Sequence, residues 1–199
     1  MTYELFFAMC VFALVTTGTP GPNNIMFTAS GANFGFRKTI PHMIGVNLGL
    51  NSLHLLMGLG LGALFVQFPV LQNGLKVVGS AYLLWLAWKM LGNSIASSTA
   101  NRTHKPITLF EAATFQYVNP KAWVMAIGAN VSFSLEGADY WPSVGAIMAA
   151  YFLVGPCTNM CWITFGKGIG HFLSSPRRLN IFNITMTALT VSCVWFIWQ

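Results

Sequence analysis

Long apolar runs separated by short polar interruptions set the pattern of the chain. A bilayer-spanning helix needs about 20 mostly apolar residues. By that measure the pattern predicts six spans, near 4–33, 41–66, 70–91, 108–133, 142–171 and 178–198. The stretch NSIASSTANRTHKPIT (93–108) is polar and has no apolar period, so it reads as a loop. It divides a single transmembrane domain into two halves of three spans, about 1–92 and 108–199, around a loop at 93–107. Three is odd, so the two halves enter the membrane in opposite directions.

Two of the spans are interrupted. Eleven apolar residues, Leu5–Val15, run into TTGTPGPNN (16–24) before the apolar pattern resumes. Eleven helical residues cover about 17 Å, and the hydrocarbon core is about 30 Å thick. The interruption therefore falls inside the membrane, where unpaired backbone is tolerated only if it is buried or lines a wet cavity. Discontinuous transporter helices use such breaks to bind anions at freed amides and cations at freed carbonyls. Thr19, Pro20, Gly21, Pro22, Asn23 and Asn24 are candidate substrate-binding residues on this ground, with a packing kink as the plainer alternative.

Span 4, FQYVNPKAWVMAIGA (115–129), breaks at a corresponding place, with Gln116, Asn119, Pro120 and Lys121 in mid-segment. Gly31-Ala32 and Gly128-Ala129 follow the two breaks at similar distances. Paired broken segments point to a substrate site between inverted repeats. The predicted fold is thus all-α and membrane-integral: six transmembrane helices in two inverted three-helix repeats, with helices 1 and 4 broken mid-membrane. A mid-membrane lysine costs ~2.5–3.5 kcal/mol on insertion scales, so Lys121 should face a cavity or a partner. A substrate carboxylate and the freed carbonyls of the first break are both candidates. Glu111, ten residues earlier, is expected near the inner interface rather than paired with Lys121.

Span 2 carries Asn47, Asn51, His54 and Gly58 at spacings of four, three and four, which is one helical face. That stripe should face the protein interior. His54 reads either as a proton relay or as a hydrogen-bonded core histidine. Gly45 and Gly49, and Gly58 and Gly62, favour close helix contact, within the chain or in a homodimer. Span 5 contains Gly155, Pro156, Thr158, Asn159 and Trp162. Its interruption reads as a further cavity lining, with Asn159 a candidate contact, or as a simple kink.

Composition places the chain in lipid. It is 55% hydrophobic and 7% charged, against roughly 25% charged in ordinary soluble domains. The net charge of +6 forms no basic stripe that would suit nucleic acid. Instead, eight of the ten Lys and Arg (Arg37, Lys38, Lys89, Arg102, Lys105, Lys167, Arg177 and Arg178) fall on the loops of one face. The positive-inside rule makes that face cytoplasmic and turns both termini outward. Cys10, Cys157, Cys161 and Cys193 lie in apolar segments without zinc-type spacing, so they read as packing residues, and no cofactor or metal is expected. The N-terminal MTYELFF lacks the basic region of a cleavable signal peptide.

TPGPNN (19–24), followed by a glycine-rich stretch ending in GFR (35–37), resembles the first-span motif of the LysE/RhtB amino-acid exporters. NPKAW (119–123) resembles that family's span 4 motif, and the likeness covers essentially the whole chain. Asn159-Met160-Cys161-Trp162 and AYLLWLAWK (81–89) are most similar to the branch exporting cysteine and O-acetylserine. The resemblance implies a six-span secondary carrier of the bacterial inner membrane, driven by the proton gradient, with no cofactor and with a small amino acid as substrate. Family site roles carry over to Thr19, Pro20, Gly21, Pro22, Asn23, Asn119, Pro120 and Lys121. Many relatives place an acidic residue where this chain has Asn23, which leaves the proton-carrying group open. The rival readings are a membrane thiol-redox carrier, which needs cysteines beside the two breaks, a non-transporting interaction subunit, and a passive channel.

Overall fold

The computed structural model describes residues 2–61, 67–95, 105–173 and 175–198. Among them there are seven α-helices and no strand. Residues 96–104 of the polar loop lie outside the described residues, as do 62–66 at the predicted end of span 2, with Gly62.

Helix α1 (Tyr3–Gly18) opens on Thr2, whose Oγ1 accepts from Leu5 N at 3.4 Å, and closes at Thr19, where the backbone turns extended. Helix α2 (Pro22–Gly58) starts at once, bent 64° away from α1. Pro22 occupies its first turn, where the missing N–H removes no hydrogen bond and the fixed φ suits a helix start. The proline that ends one helix in the sequence pattern is thus the residue that begins the next. Predicted spans 1 and 2 meet without a loop: α2 runs through both, kinked at Gly35, whose φ of 77° leaves the helical region for a single residue. Only glycine takes that backbone readily.

Helix α3 covers Pro69–Ile95. Helix α4 (Leu109–Val118) begins with a capping box. Thr108 Oγ1 accepts from Glu111 N at 3.2 Å, and Glu111 Oε2 accepts from Thr108 N at 2.9 Å. Asn119 alone is extended, and α5 (Pro120–Phe133) follows with a second proline in its first turn. After a short 3-10 turn (Gly137–Asp139), α6 (Tyr140–Phe172) and α7 (Pro176–Ile197) complete the chain. The interruption predicted in span 5 is not a break, since α6 runs unbroken through Pro156.

Helix α6 packs along α2 and α1, α4 packs on α2, and α3 packs on α7. Small residues set the spacing. A side chain added at Gly31 would strike the Ile163 carbonyl, and one at Gly166 would strike the Thr28 carbonyl. Gly45 and Gly49 likewise meet the Leu109 and Ala113 carbonyls of α4. So Gly45 and Gly49, and Gly58 against Val144 of α6, allow the expected close approach within the chain.

Polarity is arranged inside out. Phe110 is 75% and Val131 80% exposed, whereas Gln116 and His54 are fully buried. Water does not reward that arrangement and lipid does. Among the described residues, Gly137–Gly170 is long and apolar enough to cross a membrane unaided, and the bent pair α1–α2 qualifies together.

Gly166→Ala should lower stability by about 1–3 kcal/mol through overpacking. Gly145→Ala, with no atom within 4 Å of the new methyl, should be neutral or slightly stabilising. Thermal unfolding in detergent checks both, and equal midpoints would contradict the close α2–α6 approach.

Candidate functional site

A helix end leaves its last carbonyls without partners. At the end of α1 two side chains take them up. Asn24 Nδ2, one turn into α2, donates to the carbonyls of Thr17 at 3.0 Å, Gly18 at 3.4 Å and Thr19 at 2.8 Å. Lys121 Nζ, from the first turn of α5, donates to the Thr19 carbonyl at 2.5 Å, to Thr19 Oγ1 at 3.0 Å and to the Pro20 carbonyl at 3.5 Å. A cation at a helix C-terminus also meets the negative end of the helix dipole. Gly21 makes room for it, because a Cβ there would stand 2.7 Å from Lys121 Cδ.

The second break is tied to the first by amides. Asn23 Nδ2 donates to Gln116 Oε1 at 2.8 Å, and Gln116 Nε2 donates back to Asn23 Oδ1 at 3.2 Å. Gln116 is fully buried in the last turn of α4. Asn119 caps α5: its Oδ1 accepts from Lys121 N at 3.2 Å, and its carbonyl accepts from Ala122 N at 2.9 Å. The two interrupted helices thus face each other and supply each other's missing partners.

Between them lies a narrow cavity. Of the residues predicted from sequence, Asn23, Asn24, Asn47, Gln116, Asn119, Lys121 and Asn159 line it. Thr19, Pro20, Gly21, Pro22 and Pro120 do not line it; they shape the breaks around it. Asn51 and His54 stand further along α2, with Asn51 Nδ2 donating to Asn47 Oδ1 at 2.8 Å. The cavity volume is about 30 Å³, room for one or two waters and not for an amino acid. The site is closed on itself.

Sequence reasoning missed Thr17 and Tyr151, which also line the cavity. The Tyr151 hydroxyl meets Thr16 Oγ1 at 2.9 Å, and Thr158 Oγ1 donates to Thr17 Oγ1 at 3.0 Å. Tyr151, Gly155 and Asn159 recur every four residues on one face of α6. That spacing was the available signal, obscured by the attention Pro156 draws. Among the described residues no three His, Cys, Asp or Glu side chains gather as a metal site. All four cysteines are free thiols.

Facing broken helices around an amide-lined cavity, with large apolar side chains exposed among the described residues, are an arrangement suited to a membrane translocator. The family model for the LysE type translocator matches residues 14–197, and the chain belongs to that family. A "Cysteine/O-acetylserine efflux protein" of Salmonella typhimurium is 32% identical over 185 residues, covering 91% of this chain and 92% of the relative. One of the same description from Escherichia coli O1:K1 is 31% identical over 194 residues, 97% of each chain. No solved structure matches the chain.

The Asn23–Gln116 pair should show a coupling of about 0.5–1.5 kcal/mol in a double-mutant cycle to alanine, the range of interhelical hydrogen bonds in membranes. Unfolding of the purified protein in mixed micelles measures it. Strict additivity would mean that the breaks are not joined through these amides.

Proposed function

We propose that the protein exports small amino acids or their derivatives, of the cysteine and O-acetylserine kind, outward across the bacterial inner membrane. It works by alternating access, and the proton gradient drives it. The observation that carries this reading is the lysine lock across the facing breaks, with Lys121 Nζ on the Thr19 carbonyl beside an amide-lined cavity. The names of the relatives supply the substrate class.

Six spans follow if α1 with the first part of α2 forms span 1, and α4 with α5 forms span 4. The rest of α2, α3, α6 and α7 form spans 2, 3, 5 and 6. The packing of α3 on α7 pairs the last spans of the two halves, as a two-fold axis in the membrane plane requires. Arg37, Lys38, Lys167, Arg177 and Arg178 then mark the cytoplasmic face, and both termini lie outside.

The lock fits a zwitterion. Lys121 and the end of α1 carry opposite polarity and satisfy each other in the closed state. A substrate carboxylate takes over Lys121, and its ammonium takes over the Thr19 and Pro20 carbonyls. Substrate thus replaces a protein–protein contact with two of its own, which lets the broken helices part without exposing unpaired groups. The Asn23, Asn47, Gln116 and Asn159 amides line the space that opens.

Efflux of a labelled panel of cysteine, O-acetylserine, serine and lysine from producing bacteria tests the reading. One class should leave faster than from empty-vector cells, and collapse of the proton gradient should stop it. An equally expressed Asn119→Ala/Lys121→Ala variant should lose at least about tenfold in efflux, the equivalent of 1.4 kcal/mol of binding. Efflux unchanged in the variant would refute the site.

A further inference from the structure

We propose that His54 carries the coupling proton, using Asn130 as its switchable partner and the polar stripe of α2 as the link to the substrate cavity. This rests on the proposed proton-driven export and adds the group that senses the gradient.

The stripe starts at Asn47 in the cavity wall and continues through Asn51, whose amide donates to the Asn47 carbonyl at 3.0 Å and to its Oδ1 at 2.8 Å. Then come His54 and Gly58, whose carbonyl accepts from the Tyr140 hydroxyl at 2.6 Å at the outer start of α6. His54 is fully buried, and its ring lies 4.2 Å, centre to centre, from that of Tyr151. Tyr151 lines the cavity, so one ring separates the imidazole from the substrate space.

His54 Nδ1 is 3.4 Å from Asn130 Nδ2, which also donates to the Ala126 carbonyl at 2.9 Å. His54 Nε2 and Asn130 Oδ1 are both buried without a hydrogen-bond partner. Unmet polar groups of this kind cost about 1–3 kcal/mol each; both ring nitrogens of His42 are unpartnered too, so it is the place of His54 behind the cavity-lining Tyr151 that sets it apart.

The use follows from what the two groups can donate and accept. The neutral ring offers a lone pair at Nδ1, which the Asn130 amide N–H meets. A protonated ring offers an N–H at Nδ1 instead and needs an acceptor. Rotation of the Asn130 amide turns its free Oδ1 to that position, giving up the Nδ2 bond to the Ala126 carbonyl in exchange for a bond to a charged donor. One residue thereby serves both states of the ring. The step is a single proton gain, imidazole plus H⁺ to imidazolium, taken up from the outer side. The reverse loss follows inward, after the carrier reorients around its emptied cavity.

The surrounding elements offer no better proton carrier. Helix α6 presents Tyr151 and Tyr140, and α1 contributes Cys10 to the same packed cluster. Helix α5 has one titratable residue, Lys121, nine positions before Asn130 and engaged at the first break. None of α2, α5 and α6 contains a carboxylate, and Glu4 of α1 is exposed at its start. Unperturbed tyrosine, cysteine and lysine titrate well above neutrality, and histidine is the side chain whose unperturbed charge change falls between pH 5 and 8. The second buried histidine of α2, His42, packs tilted against Phe27, with ring centres 4.3 Å apart, and lines no part of the cavity.

Proteoliposomes and labelled L-cysteine under reducing conditions test the assignment. With the membrane potential clamped, a gradient of one pH unit coupled to one proton sustains a substrate ratio of about ten, and an uncoupled carrier sustains about one. Wild type and His42→Gln should approach ten. His54→Gln should fall to about one while exchanging internal for external cysteine within about twofold of wild type, since exchange needs no net proton transfer. A ratio near ten in His54→Gln overturns the assignment. So does a wild type that exchanges cysteine but ignores the pH gradient, whereas a wild type that moves no cysteine at all refutes the proposed substrate itself. Should His54→Gln fail to fold, ¹⁵N-histidine spectra of the otherwise wild-type protein in lipid decide the matter, with His42→Gln, His104→Gln and His171→Gln assigning the signals by elimination. A His54 ring whose protonation is the same at pH 5 and pH 8, with and without cysteine, overturns the proposal.

Discussion

The structure depends on how the end of α1 is neutralised inside an apolar medium. Three consecutive carbonyls, those of Thr17, Gly18 and Thr19, would be orphaned where the chain turns through Pro20 and Gly21, and lipid offers nothing to satisfy them. Asn24 gathers all three, and Lys121 adds its charge to the last of them. This one requirement joins α1, α2 and α5 at a point and fixes where the second break must stand. It also explains why a lysine is tolerated in an apolar segment: its cost is offset by contacts that only a broken helix can offer.

In the proposed export cycle the same contacts make the site responsive. A hydrogen-bonded core with every group permanently matched would have no reason to open. Here a cation and a helix C-terminus satisfy each other, and a zwitterion of the right length can satisfy both in their place. Close packing supports this, because Gly31, Gly166 and Gly170 let α2 and α6 run backbone against backbone. Helices packed that tightly move as bodies rather than deform.

Much of this was legible in the chain. The two proline-marked breaks, the polar face of α2 and the placement of Lys121 against a cavity or the freed carbonyls all follow from periodicity and from the cost of polar groups in lipid. The role of Pro22 and Pro120 as first-turn residues of new helices was hidden, because sequence shows where a helix cannot continue more plainly than where the next begins. Pro156 misled for the same reason, since α6 absorbs it without a break. Asn24 as the collector of three carbonyls, and Tyr151 as a lining residue, depend on three-dimensional convergence between helices. The free edges of His54 and Asn130 become visible only when burial and partners are counted atom by atom.

The most direct measurement is a solid-state nuclear magnetic resonance distance between ¹⁵Nζ of Lys121 and the ¹³C-labelled carboxylate of bound cysteine in lipid, with Lys121→Met identifying the signal. Direct contact is expected, with a nitrogen–oxygen separation of about 2.7–2.9 Å, and with the Lys121–Thr19 bond released on binding. Bound cysteine whose carboxylate shows no coupling to Lys121, with the Lys121–Thr19 contact intact, would contradict a substrate site built on the two breaks.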